Sequence, residues 1–123
     1  MAILTERQRA VEGLLSEGPG SISRDAITIV SGAGVLAPGT VLGKITASGK
    51  YKPATATGSD GGQTAVAVLV CGVDATSADV EVTAITRNAE WAIGDLTYDS
   101  SVDDDAKKLA KRTQLAAVGI IAR

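Results

Sequence analysis

The chain has no histidine and no phenylalanine, one cysteine, and only three aromatic residues, Tyr51, Trp91 and Tyr98. Each shortage excludes something. Without histidine, no side chain of ordinary pKa titrates near neutrality, and nothing stands ready to activate Cys71 as a nucleophile. One cysteine permits no intrachain disulfide. Met1 to Arg9 also lacks the charged-then-apolar order of a secretory leader, so synthesis in a reducing cytosol is expected. Without phenylalanine, the core must be assembled from Val, Ile, Leu and Ala, which remove less area per residue than rings do. A chain of 123 residues fits one domain and buries roughly two-thirds of its unfolded surface. A core of small side chains at that size is a reason to expect self-association.

Other function classes fall away on charge and hydropathy. The formal charge of −2 is too near neutral for a phosphate-binding surface, and no basic stripe is interleaved with aromatics. Nucleic-acid binding is disfavoured. No apolar run approaches the ~20 residues that span a bilayer.

The residues that could carry chemistry all have plainer explanations. Asp103-Asp104-Asp105 lacks the alternating oxygen ligands and terminal glutamate of a calcium loop, and reads as a helix start. Cys71 reads as a small buried hydrophobe. Gly58-Ser59-Asp60-Gly61-Gly62 has neither the spacing nor the trailing lysine of a phosphate loop and reads as a turn. Lys44 beside Gly43 is expected to be a solvated strand lysine. No catalytic residue, metal site or cofactor is assigned; the parts present suit binding or scaffolding.

Two regions differ in organisation. Over residues 1–24, Thr5 to Ser16 could form a short helix capped by Thr5 and Gln8 and stopped by Gly18-Pro19-Gly20. A segment so short is marginal alone, and residues 1–24 are read as an arm that orders when held. From residue 25 the pattern is β. Ala26 to Val30 is a strand, Ser31 to Gly34 a flexible link, and Pro38-Gly39 a turn. Thr40 to Thr46 alternates, with Val41, Gly43 and Ile45 on one face, and forms a hairpin with Lys50 to Pro53 through Ser48-Gly49. Thr57 to Gln63 is an exposed loop. Ala65 to Val70 is nearly all apolar, which implies cover on both faces, and Val66, Val68 and Val70 are candidates for a subunit contact. A polar link over Asp74 to Ala78 leads to Val80 to Thr86, with Val80, Val82 and Ala84 on one face. Arg87 to Glu90 is a turn into Trp91 to Tyr98, broken at Gly94-Asp95. The acidic triplet opens a helix with a narrow apolar stripe, Ala106, Leu109, Ala110 and Thr113. A strand at Ile120-Ile121 closes the chain.

Three stretches occur in a telling order: Leu14-Leu15-Ser16-Glu17-Gly18, Ile22-Ser23-Arg24-Asp25, and the run from Gly39-Thr40-Val41-Leu42-Gly43-Lys44 to Gly49-Lys50-Tyr51. With Ala65 to Val73, Lys111-Arg112-Thr113 and Gly119-Ile120-Ile121, they resemble the head decoration proteins of tailed bacteriophages, the family of the lambda head protein D, over roughly residues 13–123. The resemblance implies a mainly β fold with one short helix, a small barrel or sandwich of the β-tulip type, assembled as a homotrimer. It implies a partner, the major capsid protein, and a place on the virion: the outer surface of the expanded head at three-fold and quasi-three-fold positions. There the trimer would cement the shell against the pressure of packaged DNA. Synthesis would then be in the cytoplasm of the bacterial host. The arm would bind the shell through Leu14, Leu15, Ser16, Ile22, Ser23 and Arg24. A trimeric tail or baseplate adaptor, or a small-ligand-binding β-domain, is the alternative.

Overall fold

A computed structural model describes residues 9–123. The chain is mainly β with one helix. Its strands are β1 (Leu14–Glu17), β2 (Arg24–Ile29), β3 (Gly34–Leu36), β4 (Val41–Lys44), β5 (Tyr51–Pro53), β6 (Ala65–Leu69), β7 (Val73–Ala75), β8 (Val80–Ile85), β9 (Ala89–Trp91) and β10 (Ile120–Ala122), with helix α1 (Asp105–Ala117) before the last. Strands β2, β5, β4, β6 and β8 close into a small barrel; β1, β9 and β10 form a three-stranded sheet, and β3 with β7 a two-stranded ribbon.

The barrel wall separates two cores. Inside lie Ile27, Ile29, Leu42, Ala67, Leu69 and Ala84. Outside, Val41, Val68 and Ile85 pack with Trp91, Leu115 and Ile120 of the neighbouring sheet and helix. Period-two side chains produce this division: Val41 and Leu42, Val68 and Leu69, and Ile85 and Ala84 face opposite ways along each strand. The apolar run at Ala65 to Val70 is thus covered on both faces, as its composition predicts.

That cover comes from the same chain. Val68 is 0% and Val70 2% exposed, so their side chains are not available to a partner, and only Val66 retains partial exposure. For Val68 and Val70 the subunit contact read from sequence is corrected accordingly, because the outer core covers their side chains, whereas Val66 keeps some exposure.

The hairpin between β4 and β5 has the expected register, Leu42↔Pro53 to Lys44↔Tyr51. Pro38-Gly39 makes its turn, Gly39 at φ 87° and Thr40 N donating to Ala37 O. Val80 and Val82 pack with Ala84 against the barrel interior, and the chain ends on β10.

Several expectations are overturned. The helix read over Thr5 to Ser16 begins outside the described residues; within them, 10–13 turn and Leu14–Glu17 is a strand paired with β9. A free edge on β9 outweighs the weak helical spacing of Val11, Leu14 and Leu15. Gly34 and Asp74-Ala75, read as links, pair in the ribbon of β3 and β7. Three-residue strands are too short to show alternation. Ala89-Glu90, read as turn, begins β9, and the turn is held to Arg87-Asn88, Asn88 taking φ 49°. Cys71 is exposed, because it lies just past the end of β6, where the wall gives way to a turn. On α1 the stripe Ala106, Leu109, Ala110 and Thr113 faces solvent, and Lys111 and Leu115 are buried instead. Leu115 joins the outer core, while the Lys111 ammonium donates to Gln63 O and, at 3.4 Å, to Gln114 Oε1. Burial without a carboxylate partner lowers its pKa.

Candidate docking surface along the N-terminal arm

The arm is fastened to the sheet by a polar clasp. Ser23, 0% exposed, accepts from Gly18 N and donates to Asn88 O, both at 2.8 Å. Gly18 N also donates to Asn88 O at 3.0 Å. A small hydroxyl is what this position needs: a Cβ on Gly18 would already crowd Ile22 and Ser23. Asn88 suits the other half, since it tolerates positive φ better than most residues.

Two ion pairs flank the clasp. Arg24 grips Glu17 with two hydrogen bonds, Nε to Oε2 at 2.8 Å and Nη2 to Oε1 at 2.7 Å. That geometry lowers the Glu17 pKa and raises that of Arg24. Arg87 bonds Asp25 and donates to Ile22 O at 2.7 Å, while Thr86 donates to Asp25 at 2.8 Å. Arg87 and then Thr86 hold the Asp25 carboxyl below its ordinary range.

The six arm residues singled out from sequence therefore separate. Leu15 and Ile22 are 55% and 52% exposed, and Ser16 is exposed as well. Leu14 packs on the outer core, Ser23 is sealed inside the clasp, and Arg24 is engaged by Glu17. Ser16 and Glu17 rim a shallow hollow of about 310 Å³ with Glu90, Gly119 and Ile121 on the outside of the three-stranded sheet. Ile121 is 37% exposed. Sequence reasoning missed Asn88 and Arg87 at this surface; Asn88 beside an arginine was a turn signal, but nothing local tied it to Ser23, 65 residues away.

Elsewhere, residues considered for chemistry have structural roles. Asp104 caps α1 by accepting from Lys107 N at 2.8 Å, and Asp103 pairs with the Lys107 ammonium. Lys44 lies over the Tyr51 ring, 5.9 Å from its centroid. Asp60 holds Lys52 and the Gly62 amide, stiffening the loop after β5. Among the described residues no three His, Cys, Asp or Glu side chains gather as a metal site, and no helix is long and apolar enough to cross a membrane. A hollow of about 650 Å³ lies beside the ribbon, lined mainly by Ala10, Val35, Leu36, Pro38 and Val73, with Asp74 at its edge.

What remains at the surface is a pair of exposed aliphatic side chains, Leu15 and Ile22, on a clasped segment beside a small sheet. A search of curated proteins gave no match. The family model described as bacteriophage lambda head decoration protein D matches residues 3–120, a span that includes the arm, the barrel, α1 and the start of β10. The family is structural rather than catalytic, and its name points to a role on the phage capsid. The chain belongs to the bacteriophage lambda head decoration protein D family.

Proposed function

We propose that this protein is a cementing protein of a phage head. It binds the outer surface of the expanded shell as a homotrimer, at three-fold and quasi-three-fold positions, and holds neighbouring copies of the major capsid protein against the pressure of packaged DNA. The fold would be of the β-tulip type. The family match across nearly the whole chain carries this reading. The exposed Leu15 and Ile22 support it, because among the described residues of the arm they are the large apolar side chains open to a shell.

The physics needs no reaction. A protein that binds the expanded shell and not its dissociated subunits stabilises the shell by mass action. One arm would bind weakly, because ordering a partner segment costs roughly 1–2 kcal/mol per residue. Three linked arms convert later contacts into intramolecular ones, which can raise avidity about 10²–10⁴-fold. Only a lattice with the right spacing engages all three, which gives selectivity for the mature shell. Leu14, Ser16, Ser23 and Arg24 contribute by shaping the arm and aiming Leu15 and Ile22.

Cosedimentation with expanded, DNA-free heads tests the reading. Wild-type protein should pellet with heads, and Leu15→Asp combined with Ile22→Asp should not. Equal pelleting of the double variant would refute the arm's role. Removing residues 1–24 whole is a poorer test, since it takes away β1, Ser23 and the first residue of β2. Electron microscopy of virions separates the alternative: density confined to the tail would make the protein an adaptor.

A further inference from the structure

The seam between β1 and β9 is built with unresolved costs. The Trp91 indole is 0% exposed, yet its Nε1–H has no hydrogen-bond partner among the described residues. Gly13 lies directly over it: a Cβ there would collide with Trp91 Nε1 and come within 2.6 Å of Asp95 Cβ. Val11, two residues earlier, takes φ 53°, which a β-branched residue adopts only under strain. The pairing itself shifts register between Leu14 and Ser16. Lifting residues 11–17 would relax Val11 and open the orphaned donor.

From this geometry we propose that residues 11–17 form a displaceable strap, and that the groove beneath is a docking site for an extended peptide strand of a shell subunit. The source of the strand rests on the cementing role; the strap does not. Once the strap lifts, β9 presents a bare edge. Ala92 N–H, now donating to Gly13 O at 2.7 Å, becomes free together with the β9 groups that pair with Leu14–Glu17. An extended backbone satisfies such alternating donors and acceptors by strand addition. A foreign strand can also place a carbonyl over the Trp91 N–H, which Gly13 does not. Residues 11–17 of a second copy would rebuild the same seam with the same orphan, so exchange between copies gains nothing.

Three experiments bear on this. In the free protein, amides of Leu14–Glu17 should exchange roughly 100-fold faster than those of Ala26–Ile29, as a locally opening unit does. Gly13→Ala should shift the emission of the single tryptophan to longer wavelength and speed that exchange further. Equal exchange of the two strands, with unchanged emission in Gly13→Ala, overturns the strap whether or not heads are bound. Next, Ser16→Cys with Glu90→Cys, at directly opposed positions and in a Cys71→Ser background, would lock the strap when oxidised. Binding to expanded, DNA-free heads should weaken about tenfold or more and return on reduction. Undiminished binding of the locked form overturns the groove. Finally, p-benzoylphenylalanine in place of Glu90 should crosslink to a shell subunit on heads. Capture of another copy of this chain, or no capture, overturns the assignment of the strand.

Discussion

Two antiparallel seams of this molecule are made from similar residues and behave differently. Between β2 and β8, six residue pairs run from Arg24↔Ile85 to Ile29↔Val80 without a register shift, and both strands face a packed interior. Between β1 and β9 there are three pairs, a bulge, and a strand whose Leu15 and Ser16 point to water. Backbone pairing alone contributes little net free energy, because water competes for the same groups. Burial decides which seam is firm. The barrel seam buries Ile27 and Ile29; the arm seam depends on half-buried Leu14 and on the clasp around Ser23. The firm seam is therefore expected to open only with the whole fold, and the arm seam to open locally; the proposed binding role falls on the second.

Four substitutions would break or sharpen that contrast. Leu42→Ala empties part of the barrel interior and should cost about 2–5 kcal/mol, seen as a large fall in the cooperative thermal melt. Ser23→Ala removes the buried hydroxyl and leaves Gly18 N to pair with Asn88 O alone. Its cost should be about 0.5–1.5 kcal/mol, concentrated in faster amide exchange at Gly18 and β1 rather than in the barrel. Glu17→Gln should cost at most about 1 kcal/mol, because solvent screens the pair. The same pair gives a pH effect of known sign. Arg24 lowers the folded-state pKa of Glu17, so its stabilisation is complete above the ordinary glutamate range and fades as pH falls through the folded value, below about 4.3. Exchange at β1 should accelerate over that acid window in wild type and much less in Glu17→Gln. Leu15→Asp should move the melt of the free protein by no more than about 0.5 kcal/mol; a larger fall would mean that Leu15 helps hold the arm down.

How much of this was legible in the sequence varies with the physical source of each feature. The barrel strands could be read because alternation and an apolar run encode burial locally. The β4–β5 hairpin and the turn at Pro38-Gly39 could be read because Gly and Pro fix turns within four residues. The inner-outer division of the barrel wall was legible only in part: Ala65 to Val70 signalled cover on two faces but could not say that α1 supplied one of them. The helix face was misread because Lys111 counts as polar, although its stem packs and its ammonium finds a carbonyl. The strand at Leu14–Glu17 was hidden for a different reason. Its conformation is set by β9, more than 70 residues later, and no local pattern reports such a partner. Of the arm residues, Leu15, Ser16 and Ile22 are exposed, whereas Ser23 in the clasp and Arg24 beside it take their roles from Asn88 and Glu17, which no local pattern announces.

The three-stranded sheet sets β9 between β1, near the start of the described chain, and β10, near its end. All five barrel strands lie between Arg24 and Ile85, so on a translating ribosome the barrel can close while α1 and β10 are still in the exit tunnel. The sheet beside it cannot, because Ile120–Ala122 must first emerge to pair with β9. The barrel can thus form during synthesis before the sheet that anchors the arm is complete.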